Sequence, residues 1–191
     1  MSSGDNFNII RSNSGFHAIL LSILLSSFPS ARTDSLKGNC PKEAGTTFES
    51  VKSYAQNAEK SGNIRRAHAC YLLASEIKPT HAEPWFYIAE ILRQSGNVAE
   101  SVDLYRRAIG FAPQWPIAHF NLANAYKDLG KIEAAISEYK KCLDLGASFK
   151  AAIYNNLALA YGQQNRHDLV LENYRAAIRA DPTMGENSQL S

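Results

Sequence analysis

The sequence predicts an all-α fold, a solenoid of four helix-turn-helix repeats. Three observations predict it. Gly62, Gly96 and Gly130 are spaced by 34 residues, as are Tyr71, Tyr105 and Tyr139, then Ala74, Ala108 and Cys142, and also Pro79 and Pro113. A fixed period of this size marks stacked units rather than a single globule. Within a unit, apolar residues recur at helical spacing: Trp85, Ile88, Ala89 and Leu92 fall at i, i+3, i+4 and i+7. The alternation that a strand needs is absent.

Taken in order, residues 1–47 are a polar leader around one apolar segment. Residues 16–28 carry no charge, and Ala18 to Leu25 is strongly apolar. That run is short for a membrane span, which needs about 20 residues, and fits the apolar part of a secretory signal. Against a signal stand the long leader, with Arg11 offset by Asp5, and Pro29 near the best cleavage point after Ala31. The alternatives are an apolar helix packed on the first repeat, or upstream sequence translated from a wrong gene start. A signal or targeting role would place the protein in the secretory route or an organelle. Otherwise the expected location is cytoplasmic.

The repeats occupy 48–184, as 48–81, 82–115, 116–150 and 151–184, and 185–191 is a polar tail. In the second copy, Gly96-Asn97 ends the first helix. Val98, Ser101, Val102, Tyr105, Ala108 and Ile109 form the stripe of the second, and Pro113 stops it. Small residues recur where helices must approach: Ala55, Ala89, Ala123 and Ala158, then Ala67, Ser101, Ala135 and Val170. Pro84 and Pro116 lie near helix starts, where a missing N–H costs little. The fourth copy carries Asn165 where the others carry Gly, and Asn tolerates the same left-handed backbone. The third copy lacks its terminal Pro and reads Leu145-Gly146-Ala147, so a looser junction to the fourth is expected.

The pattern resembles the tetratricopeptide repeat. The second copy carries it as Trp85, Ile88-Ala89, Leu92, Gly96, Ser101, Tyr105, Ala108 and Pro113, and the third as His119, Leu122-Ala123, Tyr126, Gly130, Ala135, Tyr139 and Cys142. The resemblance implies a right-handed superhelix whose first helices line a concave groove. That groove would hold an extended peptide or a helix of another protein. By match to the repeat positions, the groove-facing residues are Lys52 and Gln56; Glu83, Phe86, Glu90 and Arg93; Phe120, Asn121, Asn124 and Lys127; and Asn155 and Asn156, with Glu59 and Leu159 beside them. Phe86 and Phe120 are either contact surface or packing against a neighbouring helix. Asn121, Asn124 and Asn156 resemble the asparagine ladder of the repeats of protein O-GlcNAc transferase, which grips a peptide backbone because a carboxamide both donates and accepts. The first two copies have Ser53 and Tyr87 instead. A clamp for an acidic C-terminal tail is not expected, since it asks for basic residues at Ile117 and Asn121 and for Asn at Tyr87.

Catalytic chemistry is not expected. Neither the five His nor the three Cys pair at a metal-ligand spacing, so no metal and no cofactor are implied. His119 reads as a packing residue, and Cys70 and Cys142 as small apolar fillers. The repeats carry 16 basic and 14 acidic residues, which argues against a nucleic-acid surface. The basic pairs Arg106-Arg107 and Lys140-Lys141 read as solvated back surface. The expected function is a non-enzymatic interaction module or scaffold, with another protein as partner. The uncapped C-terminal repeat offers self-association, and a membrane is involved only if residues 16–28 are retained. The alternative is an N-terminal fragment or relative of an O-GlcNAc-transferase-like glycosyltransferase, recognising substrate but catalytically incomplete.

Overall fold

The computed structural model describes residues 39–41 and 44–183. The apolar segment 16–28 and the tail 185–191 lie outside the described residues, which contain eight α-helices and no strand. They are α1 (Phe48–Lys60), α2 (Ile64–Ile77), α3 (Ala82–Gln94), α4 (Val98–Phe111), α5 (Pro116–Asp128), α6 (Ile132–Asp144), α7 (Lys150–Gln163) and α8 (His167–Ala180). None of these is long and apolar enough to cross a membrane.

Helix ends follow the sequence closely. Thr47 caps α1, its side chain accepting from the Ser50 N–H. Gly62, Gly96 and Gly130 all adopt positive φ, and Asn165 does the same at φ 57°. At each, the next residue's N–H returns to a carbonyl of the preceding turn, as Asn63 does to Ala58 and Arg166 to Tyr161. This double closure satisfies carbonyls that a helix end would otherwise leave bare. Gly146 and Ala147 make the same closure at the third junction.

The first and second helices of each copy pack as a hairpin. The second helix then packs on the first helix of the next copy: α2 on α3, α4 on α5, α6 on α7. The first helices α3 and α5 also meet, so first helices form the inner layer. Ala55, Ala89, Ala123 and Ala158 are fully buried, because any larger side chain would hold the paired helices apart. Tyr71, Tyr105 and Tyr139 are fully buried wedges between repeats. Trp85 Nε1 donates to the Pro79 carbonyl at 2.9 Å, and His119 Nε2 meets the Pro113 carbonyl at 3.1 Å. The two bonds are 34 residues apart and tie α3 and α5 each to the loop before it. His119 is thus a buried packing residue, with its other ring nitrogen 2.7 Å from Glu138.

The cysteines divide differently from the sequence reading. Cys142 is a free, buried filler. Cys70 is not a filler: it forms a disulfide with Cys40, bridging 30 residues and tying the segment before α1 to the middle of α2. Ala44 is buried within the same segment. The sequence pattern could not select this pair, because Cys40 lies outside the repeat period.

Candidate functional site

The predicted groove residues all stand on α1, α3, α5 and α7, and the structure sorts them into three groups. Some are packing residues. Phe86 is only 4% exposed, its ring against Tyr105 and Trp115 at 5.8 and 4.6 Å. Asn121 is 8% exposed. Phe120 is half-buried between Tyr139 and Phe149. The two phenylalanines therefore act largely as inter-repeat packing, and the contact-surface alternative does not hold for Phe86.

A second group pairs laterally from repeat to repeat. Lys52 Nζ donates to Glu83 at 2.6 Å, and this pairing is what chiefly raises the lysine's pKa. Arg93 reaches Asp128 at 3.0 Å. Asn156 donates to Asn124 Oδ1 at 3.2 Å, and the same oxygen accepts from the Tyr139 hydroxyl at 2.5 Å. One side-chain bridge thus spans each junction on the inner layer. Two of the three ladder asparagines are engaged with one another, and the third is buried.

The buried tyrosines send their phenols toward this layer, which the sequence reading missed. Tyr71 donates to Glu59 at 2.9 Å and stacks on Tyr87 at 4.8 Å between ring centroids. Burial, then the Glu59 carboxylate, pushes the Tyr71 phenol well above its ordinary range. Tyr105 is raised by burial and by Glu90, with Arg93 opposing. Its hydroxyl and Arg93 Nε are buried and neighbouring without reaching hydrogen-bond geometry. Glu90 titrates above the usual carboxylate range, from burial first and Glu59 second, partly offset by Arg93. The period of 34 in the tyrosines was the signal available for these contacts, and Asp128 had none.

The third group stays partly open: Gln56, Glu90, Lys127 and Asn155 are half-buried. Leu159, which occupies the position of Gln56, Glu90 and Asn124, is 44% exposed. An exposed leucine on an inner helix, in a layer that also presents a half-buried lysine and asparagine, makes a mixed surface suited to side chains of both kinds. The back of the solenoid differs. Arg107 lies 3.7 Å over the Trp85 ring, and Lys140 lies 5.9 Å over Tyr161. These basic residues cover aromatic surface rather than forming an open cationic stripe. A cleft of about 470 Å³, lined by Glu133, Ile136, Lys140, Tyr161, Gln164 and Arg166, contains none of the predicted groove residues. Among the described residues no cluster of His, Cys, Asp and Glu could hold a metal.

Comparison with known proteins agrees with this architecture. A family profile described as TPR repeat matches residues 89–130, and one described as Tetratricopeptide repeat matches 117–146 and 151–184. No curated protein matches the chain by sequence. Among solved structures, one titled "Crystal structure of MamA" superposes with a TM-score of 0.69 at 16% identity, covering 93% of this chain and 99% of that chain. Another, titled "Crystal structure of MamA protein", gives a TM-score of 0.67 at 18% identity over 76% and 79%. The structure of MamA residues 41 to the end from Desulfovibrio magneticus RS-1 gives 0.66 at 14% over 96% and 100%. At such identities the likeness concerns the fold. Residues 89–130, 117–146 and 151–184 are thus recognised tetratricopeptide repeats, and the eight described helices form a tetratricopeptide-repeat solenoid.

Proposed function

We propose that this protein is a non-enzymatic scaffold whose inner helices hold an extended peptide or a helix of a partner protein. The observation that carries the reading is the partly open surface of α5 and α7, where Leu159 is exposed and Lys127 and Asn155 are half-buried. Lys52, Arg93, Asn124 and Asn156 are taken up by lateral pairing, which leaves Leu159, Lys127 and Asn155 as groove positions with bonding and apolar capacity. The glycosyltransferase alternative has less support, because the asparagines that suggested it bond to each other or are buried. Affinity capture with the full chain tests the reading. Leu159→Asp combined with Lys127→Glu should abolish recovery of partners while leaving the helical circular dichroism intact. Equal recovery by the variant would remove the groove from consideration.

The working compartment is read as oxidising, which favours a secretory or organellar route over the cytoplasm. Support comes from the Cys40–Cys70 disulfide, a bond that thiol-reducing compartments do not maintain. The apolar run 16–28 points the same way. Sequencing the mature N-terminus tests it: a start near Arg32 supports export or import, and a start at Met1 or Ser2 opposes both.

A further inference from the structure

The two ends of the solenoid are unlike. On α8, Leu171, Tyr174 and Ile178 fall at i, i+3 and i+7 and are 56%, 37% and 46% exposed. The corresponding residues one repeat earlier are Ile136, Tyr139 and Leu143. The first two are buried and the third partly so, beneath the next repeat. The stripe on α8 therefore has the composition of a stacking face and lacks the cover. At the other end, α1 carries Ser50 and Asn57, both exposed. Their counterparts Pro84 and Ile91, Ala118 and Ala125, and Ile153 and Ala160 are all buried. Head-to-tail stacking of copies would press the α8 stripe against that polar face, so it is disfavoured.

The charges beside the stripe are ordered along the helix. Asp168 and Glu172 precede Arg175 and Arg179, all four are exposed, and none forms an ion pair among the described residues. All four lie on one flank of the stripe, so a parallel two-fold neighbour would carry its own four on the opposite flank, out of reach. An antiparallel one reverses the order and sets acid against base. Placing Leu171 opposite the second copy's Ile178 puts Asp168 within about 3 Å of axial rise of the second copy's Arg179, twice by symmetry.

We propose that α8 is a self-association surface on which a second copy of this chain packs its own α8 antiparallel about a two-fold axis. Such an interface is self-complementary and closes at two copies. It leaves the inner helices unused and is independent of the groove reading. One helix face is a small interface, so the dimer is a micromolar one, with Kd on the order of 1–100 µM.

Sedimentation equilibrium of the full chain across that range tests the proposal. A monomer–dimer equilibrium is expected. Leu171→Asp and Ile178→Asp should each weaken it by about tenfold or more. Both positions are exposed in the monomer, so neither change should reduce its helical content. Asp168→Arg and Arg179→Asp should each weaken the dimer, and the double variant in one chain should restore it. A monomer at all concentrations overturns the proposal, whether residues 184–191 or another protein covers the stripe. Association that survives Leu171→Asp overturns it as well. Failure of the double charge variant to recover overturns the antiparallel pairing.

Discussion

Removing the Cys40–Cys70 bridge should loosen the first repeat selectively. The cleanest perturbation is Cys40→Ser, because Cys40 lies outside the helices while Cys70 is fully buried in α2. The bridge closes a separation of 30 residues that contains all of α1. In the chain-entropy treatment, a loop of that length removes about 12 cal/mol/K from the unfolded ensemble, or about 3.5 kcal/mol at 25 °C. For a chain of this size that corresponds to a fall in Tm of about 7–14 °C. A solenoid's stability is close to a sum over neighbouring repeats, so the loss should concentrate at one end. Thermal melts of wild type with and without reductant, and of Cys40→Ser, read the total. Amide hydrogen exchange reads its location: α1 should exchange faster, with α5 to α8 little changed. Identical melts in all three conditions, with the bridge verified by mass spectrometry in the oxidised sample, would refute the reasoning. So would a loss spread evenly over all eight helices.

Further outcomes follow from individual sites. Burial pushes the Cys142 thiol up to about 12, so native protein should resist iodoacetamide, and denaturation without reductant should release a single reactive thiol; labelling of native protein would contradict the burial, and more than one thiol after denaturation would contradict the bridge. Asn165→Ala should cost about 1 kcal/mol in urea unfolding, because alanine is strained at the positive φ there, whereas Asn165→Gly should not destabilise. The Glu90 carboxyl is raised in the fold, so folded protein holds a proton that unfolded chain has released. Its charging opposes folding, and the associated stability is lost as pH rises from the ordinary carboxylate range through the raised value. Glu90→Gln should therefore match wild type in thermal melts near pH 4 and exceed it near pH 7. A gap independent of pH would assign the effect to something other than this carboxyl.

The repeat period carries local conformation directly. Gly62, Gly96 and Gly130 mark helix ends because an L side chain at positive φ meets its own backbone, and Asn165 substitutes because its short polar side chain tolerates that region. The alanines at equivalent positions mark close helix approach for the same local reason, since only a methyl fits between paired axes. The groove was less readable. Its helices and the side they face follow from the period, but not what each side chain meets there. Phe86 and Phe120 occupy equivalent positions, yet one is buried and the other half-buried, because Trp115 covers the first and Phe149 flanks the second. Asn124 looks free in a linear reading and is occupied by Tyr139 and Asn156.

The sequence by itself thus determined the helix-turn-helix unit and the glycine and asparagine positions at which its helices turn, set by residues within a few positions of one another. The tertiary structure alone decided that Cys40 finds Cys70, that polar groove residues bridge neighbouring repeats, and that the α8 stripe stays open while its counterparts are covered. These depend on distances across repeats, and a period of 34 residues makes every copy look alike until stacking gives each a different neighbour.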